Sequence, residues 1–282
     1  KMHWKTTRFE IDLSTPKVMG IVNVTPDSFS DGNQHANLTS ALKHCELLLK
    51  QGAHILDIGG ESTRPGAKQI SLEEELQRVL PVVKEAMRLN VPLSVDTYKP
   101  EVMQAVLDLG ADIINDIWAL RQKGALEVVA MHPSCGVCLM HMHAQPLDMQ
   151  VHPMEGLAMP TVVSFLQARA QALQASGVAK ERIALDPGIG FGKTVAQNFE
   201  ILAHQSQVSN LGYPLLVGWS RKSSLGAVTG CEVDDRLVPS VAAALLAVER
   251  GARVVRVHDV QATVQALAVW QHAQTASGSL RK

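Results

Sequence analysis

Aromatic residues are scarce in this chain, because Phe, Trp and Tyr together make up 4% of its 282 residues. A platform on which successive nucleic-acid bases stack is therefore not expected. Charge of one sign is not in excess either, since 26 basic residues stand against 27 acidic ones and the formal net charge is -1. Nothing global therefore attracts the chain to nucleic acid or to a membrane surface.

Cysteines and long apolar runs are also few. The four cysteines are too few for a disulfide framework in a chain of this length and favour a reducing compartment. No uninterrupted apolar run is long enough to span a bilayer, and the first residues lack a signal-peptide pattern. We therefore expect a cytoplasmic protein with no membrane partner.

Short β-branched segments that alternate with helical periodicity dominate the rest of the sequence. The predicted strands are 18–24, 54–58, 91–95, 112–114, 136–140, 182–185, 214–217 and 253–257. The predicted helices follow them, one after a loop over 25–37 and the others at 71 onward, 100–109, 125–131, 161–176, 195–208, 234–250 and 261–272. Pro81 and Pro239 are expected to interrupt two of these helices.

This alternation favours a parallel sheet with crossover helices. Eight units in roughly 250 residues match the size of an α/β (β/α)₈ TIM barrel, and a doubly wound open sheet stays the alternative. No linker or charge block divides the chain, so residues 1–282 are interpreted as a single domain. Residues 1–16 are expected to form a hairpin packed on the barrel.

Polar residues follow each predicted strand, at the end where such barrels carry their active sites. The strongest candidates are Asn23, Arg64, Asp96, Asn115, Asp186, Lys222, Arg256 and His258, with Thr63, Phe191 and Ser220 beside them. The arginines, His258 and Asn23 suit an anion such as phosphate. The carboxylates and Asn115 suit a flat heterocycle rich in N–H donors.

Two other motifs fail on inspection. The segment 188–194 resembles a P-loop, but Pro187 occupies the position of its first glycine. His132, Cys135, Cys138, His141 and His143 resemble a metal cluster. Strand alternation places Cys138 and His141 on opposite faces, which argues against a structural zinc site.

Several segments together identify a family. The segments are 23–32 (NVTPDSFSDG), 57–66 (DIGGESTRPG), 94–97 (SVDT), 115–116 (ND), 139–142 (LMHM), 186–193 (DPGIGFGK), 220–223 (SRKS) and 256–260 (RVHDV). In this order, and over nearly the whole chain, they resemble the bacterial dihydropteroate synthases.

The resemblance implies a homodimeric TIM barrel that acts in folate biosynthesis. Members of this family join 6-hydroxymethyl-7,8-dihydropterin diphosphate to 4-aminobenzoate, release pyrophosphate and 7,8-dihydropteroate, and use Mg²⁺. Sulfonamides compete for the aminobenzoate site. Residues 63–66 have the usual spacing of the family, without the inserted residues of sulfonamide-insensitive relatives. This spacing predicts that sulfonamides inhibit this chain.

The resemblance also assigns roles to individual residues. The catalytic set is Asn23, Asp31, Arg64, Lys222, Arg256 and His258. The pterin would contact Asp96, Asn115, Met140, Asp186, Lys222 and Arg256. The diphosphate would contact Asn23, Arg64, Arg256 and His258, with Mg²⁺ near Asn23. The aminobenzoate would contact Phe29, Thr63, Pro65, Phe191, Ser220 and Lys222.

The sequence departs from the family pattern at Trp118, Trp219 and the 143–160 segment, none of which replaces an assigned residue. Three functions are alternatives to the synthase: the pterin domain of a corrinoid-dependent methyltransferase, a non-catalytic pterin-binding protein, and a sugar-phosphate barrel enzyme. The first-loop segment and the Ser-Arg-Lys-Ser segment favour the synthase.

Overall fold

The computed structural model describes residues 2–25, 34–64, 66–143 and 154–279. The chain begins with an antiparallel hairpin of β1 (His3–Lys5) and β2 (Glu10–Asp12). Trp4 pairs with Ile11 across it, and both side chains point away from solvent. The hairpin thus presents an apolar face to the rest of the molecule.

Eight parallel strands follow, and each predicted strand is present with its ends moved by at most two residues. They are β3 (Lys17–Asn23), β4 (Ile55–Gly59), β5 (Leu93–Asp96), β6 (Ile113–Asp116), β7 (Gly136–Met140), β8 (Ile183–Asp186), β9 (Leu216–Val217) and β10 (Val254–Val257).

The strands form one sheet in the order β8-β7-β6-β5-β4-β3-β10-β9. Its two outer strands meet through a parallel bridge between Leu185 and Leu215. The Leu185 N–H also donates to the Pro214 carbonyl over 2.9 Å, which closes the sheet into a cylinder. The predicted (β/α)₈ barrel is therefore confirmed, and the open doubly wound sheet is wrong.

Helices connect the strands on the outside of this cylinder. They are α1 (Gln34–Lys50), α2 (Leu72–Ala86), α3 (Pro100–Asp108), α4 (Ala125–Met131), α5 (Met159–Ala175), α6 (Val195–Ala203), α7 (Ser206–Ser209), α8 (Ser223–Thr229), α9 (Leu237–Glu249) and α10 (Val260–Ser279). Within the described ranges, no helix combines the length and apolarity needed to cross a bilayer.

The two expected proline interruptions are absent. The α2 helix runs through Pro81, which lies on its exposed side, where water can replace the missing hydrogen bond. Pro239 is the third residue of α9, in the first turn, where backbone N–H groups have no partner within the helix. Both prolines therefore occupy positions that an α-helix tolerates.

One helix prediction is wrong for a tertiary reason, and one helix is missing from the prediction. The expected helix over 195–208 is divided into α6 and α7 next to Gln205, whose buried amide donates to the carbonyls of Ala247 and Arg250. The α8 helix was not predicted, because its Ser, Gly, Val and Thr residues are weak helix formers. It packs against the Arg236 guanidinium, which lies where a side chain at Gly226 would be.

The barrel is filled with apolar side chains at the end where the strands begin. A layer of inward side chains fills it, with Trp4, Ile11 and Leu13 of the hairpin segment packed beneath; its members are Met19, Ile55, Ile113, Cys138, Ala184, Leu216 and Val254. The indole N–H of Trp4 donates to the Arg182 carbonyl over 3.0 Å. The hairpin therefore closes this end of the barrel.

Candidate active site

Two residues further along the strands, toward their carboxyl ends, several of the inward side chains are polar. Since a step of two residues returns a strand to the same face, the layer above the apolar one can be read from the sequence. It consists of Ile21, Asp57, Asn115, Met140, Asp186, Gly218 and Arg256. The β5 strand contributes Ser94 and Asp96, which lie on the same face. Most of the residues predicted to contact the pterin lie in this layer.

Arg256 and Asp57 form the centre of the polar layer. The Arg256 Nε donates to Asp57 over 2.7 Å, and its terminal nitrogen donates to Asp96 over 3.3 Å. Asp57 also accepts hydrogen bonds from Ser94 at 2.7 Å and from Asn115 at 3.2 Å. Four strands are thereby linked across the interior of the barrel.

Asp57 was missed as a functional residue, although the sequence carries a signal for it. It is a carboxylate in the middle of an otherwise apolar strand, and β4 is buried along its whole length. A buried charge is costly unless it is paired and hydrogen-bonded. That rule predicts a cationic partner, and the partner is Arg256.

Burial controls the ionisation of this layer. It raises the pKa of Asp96 to about 8, with the Asp57 charge acting in the same direction and Arg256 opposing both. Burial also raises the pKa of Asp186, which Lys222 partly offsets. For Arg256, burial alone would lower the pKa, but Asp57 and Asp96 outweigh it and raise the pKa instead.

A cavity of about 380 Å³ opens above Arg256 at the carboxyl ends of the strands. Among its lining residues are eight of the predicted ones: Asn23, Thr63, Arg64, Phe191, Ser220, Lys222, Arg256 and His258. Asp96, Asn115, Met140 and Asp186 are not part of this lining and lie inside the barrel, next to Arg256 and Asp57 or on the neighbouring strands. Of the predicted residues, Phe29, Asp31 and Pro65 lie outside the described ones.

Lys222 connects the cavity to the loop after β8. Its ammonium group donates to the Ile189 carbonyl over 2.6 Å and lies 5.1 Å from the centre of the Phe191 ring. Burial lowers its pKa to about 8, although the Asp186 carboxylate opposes that shift. Lys222 therefore joins one wall of the cavity to the loop that follows Asp186.

The glycine-rich loop after Asp186 serves close packing of the backbone. Gly188 and Gly192 have positive φ angles of 75° and 77°. A side chain at Gly188 would collide with the His141 carbonyl, and one at Gly192 with the His143 carbonyl. These glycines therefore allow this loop to lie directly against the segment that follows β7.

Lys193 fixes the same loop from inside. Its ammonium group is buried and donates to the carbonyls of His141, Pro187 and Gly188 over 3.0, 2.8 and 2.8 Å. Burial lowers its pKa, against the nearby Asp186 carboxylate. Three fixed acceptors around one donor leave Lys193 no freedom to reach the cavity, so its position indicates a structural role.

The loop that carries Thr63 and Arg64 is anchored by Glu61. The Glu61 carboxylate accepts hydrogen bonds from Tyr98 at 2.9 Å, from Lys99 at 3.0 Å and from the Ile70 N–H at 3.0 Å. Arg64 itself is exposed at the cavity mouth. The buried Glu61 side chain thus binds the loop backbone at Ile70 and fixes the loop to Tyr98 and Lys99.

Ser220 and His258 both line the cavity and contact each other. The Ser220 hydroxyl lies 2.8 Å from the His258 Nδ1 and accepts the His258 backbone N–H over 3.0 Å. Burial lowers the pKa of His258 to about 3, and the positive charges of Arg256, Arg221 and Arg64 add to that shift. The imidazole is therefore neutral at physiological pH.

Two of the residues that resembled a metal cluster, His132 and Cys135, have other partners. His132 Nδ1 accepts the backbone N–H groups of Ser134 and Cys135 over 3.1 and 2.9 Å, and Cys135 lies next to the Arg182 guanidinium. Across the described ranges, no three His, Cys, Asp or Glu side chains converge in a way that could hold a metal ion. At the cavity, the Asn23 amide is the oxygen ligand that the resemblance assigned to Mg²⁺.

Comparison with known proteins places these features in a family context. The sequence model of the family described as pterin binding enzyme matches residues 19–258. A dihydropteroate synthase of Neisseria meningitidis serogroup C is 51% identical over 272 residues, which cover 95% of this chain and 96% of that protein.

Solved structures agree with the sequence matches. The dihydropteroate synthase of Burkholderia cenocepacia, complexed with 7,8-dihydropteroate, superposes with a TM-score of 0.90 at 48% identity and covers 99% of this chain and 98% of that one. The Yersinia pestis enzyme, in a sulfonamide drug complex, gives a TM-score of 0.91 at 47% identity, with coverages of 97% and 100%. The similarity extends over the barrel and its polar rim.

Proposed function

The chain belongs to the pterin-binding enzyme family, and we propose how its residues carry out the dihydropteroate synthase reaction. This transferase reaction of folate biosynthesis joins 6-hydroxymethyl-7,8-dihydropterin diphosphate to 4-aminobenzoate and releases pyrophosphate and 7,8-dihydropteroate. One observation carries the assignment of roles. A mouth rich in cations and donors opens directly above an interior rich in carboxylates and amides.

The buried polar layer is proposed to hold the pterin. Asp96 and Asp186 supply carboxyl oxygens to the N–H groups of the heterocycle, and Asn115 supplies an amide. Met140 is buried on β7, in register with Asp186, and offers an apolar surface to the ring. The guanidinium of Arg256, held in place by Asp57, packs against the ring face.

The cavity mouth is proposed to hold the diphosphate. Arg64 and Arg256 provide bidentate charged donors, while Asn23 and His258 provide neutral polar groups from β3 and from the residue after β10. The bond between the methylene carbon and the diphosphate oxygen breaks, and its electron pair leaves with pyrophosphate. The arginines stabilise the negative charge that develops on the leaving group.

We propose that Mg²⁺ binds beside Asn23, as the family resemblance implies. The Asn23 amide oxygen is a hard ligand of the kind that Mg²⁺ accepts. With so few protein ligands in the described residues, most of the coordination would come from phosphate oxygens and water, as is usual for Mg²⁺ at phosphate sites. The bound ion would add positive charge next to the leaving group.

The aminobenzoate is proposed to lie between Thr63, Phe191 and Lys222, with Pro65 and Phe29 completing its surroundings. Its neutral amine attacks the methylene carbon, forms the C–N bond and then loses a proton to solvent. Asp31 and Phe29 belong to the segment after Asn23, which we propose excludes water from the reactive carbon. The Asp31→Ala variant should then raise the aminobenzoate KM and lower turnover, and unchanged values of both would exclude this role.

Sulfonamides should compete with 4-aminobenzoate for the same site. The likeness to the Yersinia pestis enzyme, solved with a sulfonamide drug, supports this proposal. Steady-state rates at limiting aminobenzoate should fall as sulfonamide is added and recover when aminobenzoate is raised. Undiminished turnover under saturating sulfonamide would exclude a shared site.

The decisive assay follows both products at once. Purified protein with pterin diphosphate, Mg²⁺ and 4-aminobenzoate should yield pyrophosphate and dihydropteroate in equal amounts. Pyrophosphate without dihydropteroate would contradict the proposed amine site. Pterin binding without either product would favour a non-catalytic binding protein.

A homodimer and a cytoplasmic location are further proposals. Apolar side chains on α9 are exposed, Val238 by 76% and Leu237 by 45%, which supports contact with a second copy. All four cysteines are free, which fits a reducing compartment. Light scattering after size exclusion should give twice the 30.5 kDa chain mass, and Val238→Glu should shift the equilibrium toward the monomer.

A further inference from the structure

The Ser220 hydroxyl is directed at His258, although the family resemblance assigns Ser220 to the aminobenzoate. Its oxygen accepts the His258 backbone N–H over 3.0 Å and lies 2.8 Å from the imidazole Nδ1. The side chain is buried, with 5% of its surface exposed. Both contacts join the Ser220 hydroxyl to His258, one to its backbone and one to its imidazole ring.

The direction of the second hydrogen bond follows from donor counting. The Ser220 oxygen already accepts one N–H, and its own hydrogen needs an acceptor because an unsatisfied buried donor is costly. Within the described part of the chain, the acceptor that lies within hydrogen-bonding distance is the His258 Nδ1. When the hydroxyl donates to Nδ1, its hydrogen is satisfied within the protein, and a neutral imidazole then carries its own proton on Nε2.

The charged groups around His258 keep it neutral. Arg256 precedes it on β10, Arg221 faces it from the segment after β9, and Arg64 faces it from the loop after β4. Among the described residues, Asp259 is the opposing charge that acts on it, and that carboxylate is paired with Arg221 over 2.8 Å. Burial and three cations together disfavour an imidazolium.

We propose that Ser220 is a positioning residue that holds His258 as the neutral Nε2–H tautomer, which donates to the substrate diphosphate from the cavity wall. The proposal rests on the proposed function for the identity of the acceptor. The proposal also excludes one role for His258, that of a general base. Since Nδ1 is occupied by the serine hydroxyl and Nε2 carries the proton, His258 has no free lone pair to serve as a base for the attacking amine.

The tautomer is testable on the free wild-type protein, without turnover. Histidine labelled with ¹⁵N gives two-bond proton–nitrogen correlations that distinguish the two neutral tautomers and the imidazolium, and His258→Gln identifies the His258 signals. We expect the Nε2–H pattern, unchanged from pH 5 to pH 8. An Nδ1–H pattern or an imidazolium at pH 7 would overturn the proposal.

Steady-state kinetics then separate this role from contact with aminobenzoate. Ser220→Ala should raise the KM for pterin diphosphate about five- to tenfold, the size of one lost hydrogen bond, and leave the aminobenzoate KM unchanged. Ser220→Thr keeps the hydroxyl and should restore most of the affinity. The reverse pattern, with only the aminobenzoate KM raised, would overturn the proposal.

A double-mutant cycle completes the test. If Ser220 acts through the imidazole, Ser220→Ala should have little further effect on the pterin diphosphate KM in a His258→Gln background. Full additivity of the two substitutions would contradict that coupling. Wild-type protein that shows the Nε2–H tautomer but no turnover would disprove the synthase function and leave the tautomer assignment intact.

Discussion

The two ends of the barrel use the same strands for different purposes. At the closed end, the inward side chains are apolar, and Trp4 and Leu13 pack against them without exposure to solvent. At the open end, two residues further along, the inward side chains include Asp57, Asp186 and Arg256. A step of about 7 Å along each strand therefore separates an apolar core from a charged site.

This contrast shows how the molecule tolerates buried charge. Removing an ionised group from water costs several kcal/mol unless partners compensate. Arg256 has two carboxylate partners, while the apolar layer below needs none and contributes burial of large side chains. We infer that stability resides mainly at the closed end and substrate recognition at the open end, and four substitutions test this division.

The largest effect is expected at the closed end, from Trp4→Ala. Loss of a fully buried indole and the cavity left behind should lower the free energy of unfolding by about 3–5 kcal/mol. Denaturant unfolding measures this loss, and the KM values of the protein that remains folded should not change. Trp4→Phe is the matched control, since it keeps a ring and loses mainly the hydrogen bond to Arg182. A raised KM without lower stability would contradict the division.

Next in size is Lys222→Met at the open end. It removes a charge from the cavity wall and keeps the length of the side chain, so turnover should fall about 10²- to 10³-fold. Thermal unfolding should stay close to that of the wild type. Lys193→Met is the matched control, because it leaves three carbonyls without a donor and should destabilise the protein instead. Unfolding of the Lys222 variant would make that lysine structural.

Asp57→Asn should have an intermediate effect. It keeps the shape of the side chain but removes the charge that holds Arg256, so kcat/KM should fall about 10- to 100-fold, as for a hydrogen bond between charged groups. Steady-state kinetics with varied pterin diphosphate measure this loss. Ser94→Ala removes one hydrogen bond from an uncharged donor to the same carboxylate, leaves the Arg256 ion pair in place and should cost less. Equal losses in the two variants would argue against positioning of Arg256.

The smallest effect concerns pH. Burial raises the pKa of Asp96 to about 8 in the folded protein, whereas an unfolded chain titrates Asp near 4. Between these values the folded state binds the extra proton, so this group makes stability fall as pH rises. Asp96→Asn should therefore flatten the dependence of the melting temperature on pH between pH 5 and pH 8.

Asp116 provides the comparison for that measurement. Burial raises its pKa to about 7, and its carboxylate accepts the backbone N–H groups of Trp118 and Leu120. Asp116→Asn should flatten the same profile, but only Asp96→Asn should also raise the KM for pterin diphosphate. A wild-type melting temperature that rises between pH 5 and pH 8, with no difference in Asp96→Asn, would contradict the assigned shift.

Much of this division was predictable from local sequence patterns. Strand positions followed from β-branched segments, and the polar residues at the ends of those strands placed Asp96 and Asp186 at the open end. Prediction failed where distant contacts decide local structure. The Gln205 amide divides a helix by binding the end of α9, and Arg236 packs where α8 lacks a side chain.

The sequence by itself determined the eight-unit alternation, the polar residues at the strand ends and the family to which they point, because periodicity and turn chemistry are local properties. The tertiary structure alone decided which of those residues meet. Arg256 reaches Asp57 across 199 positions of the chain, and the Ser220 hydroxyl contacts the His258 imidazole across 38 positions. Such pairings depend on strand register and on closure of the barrel, neither of which a local pattern encodes.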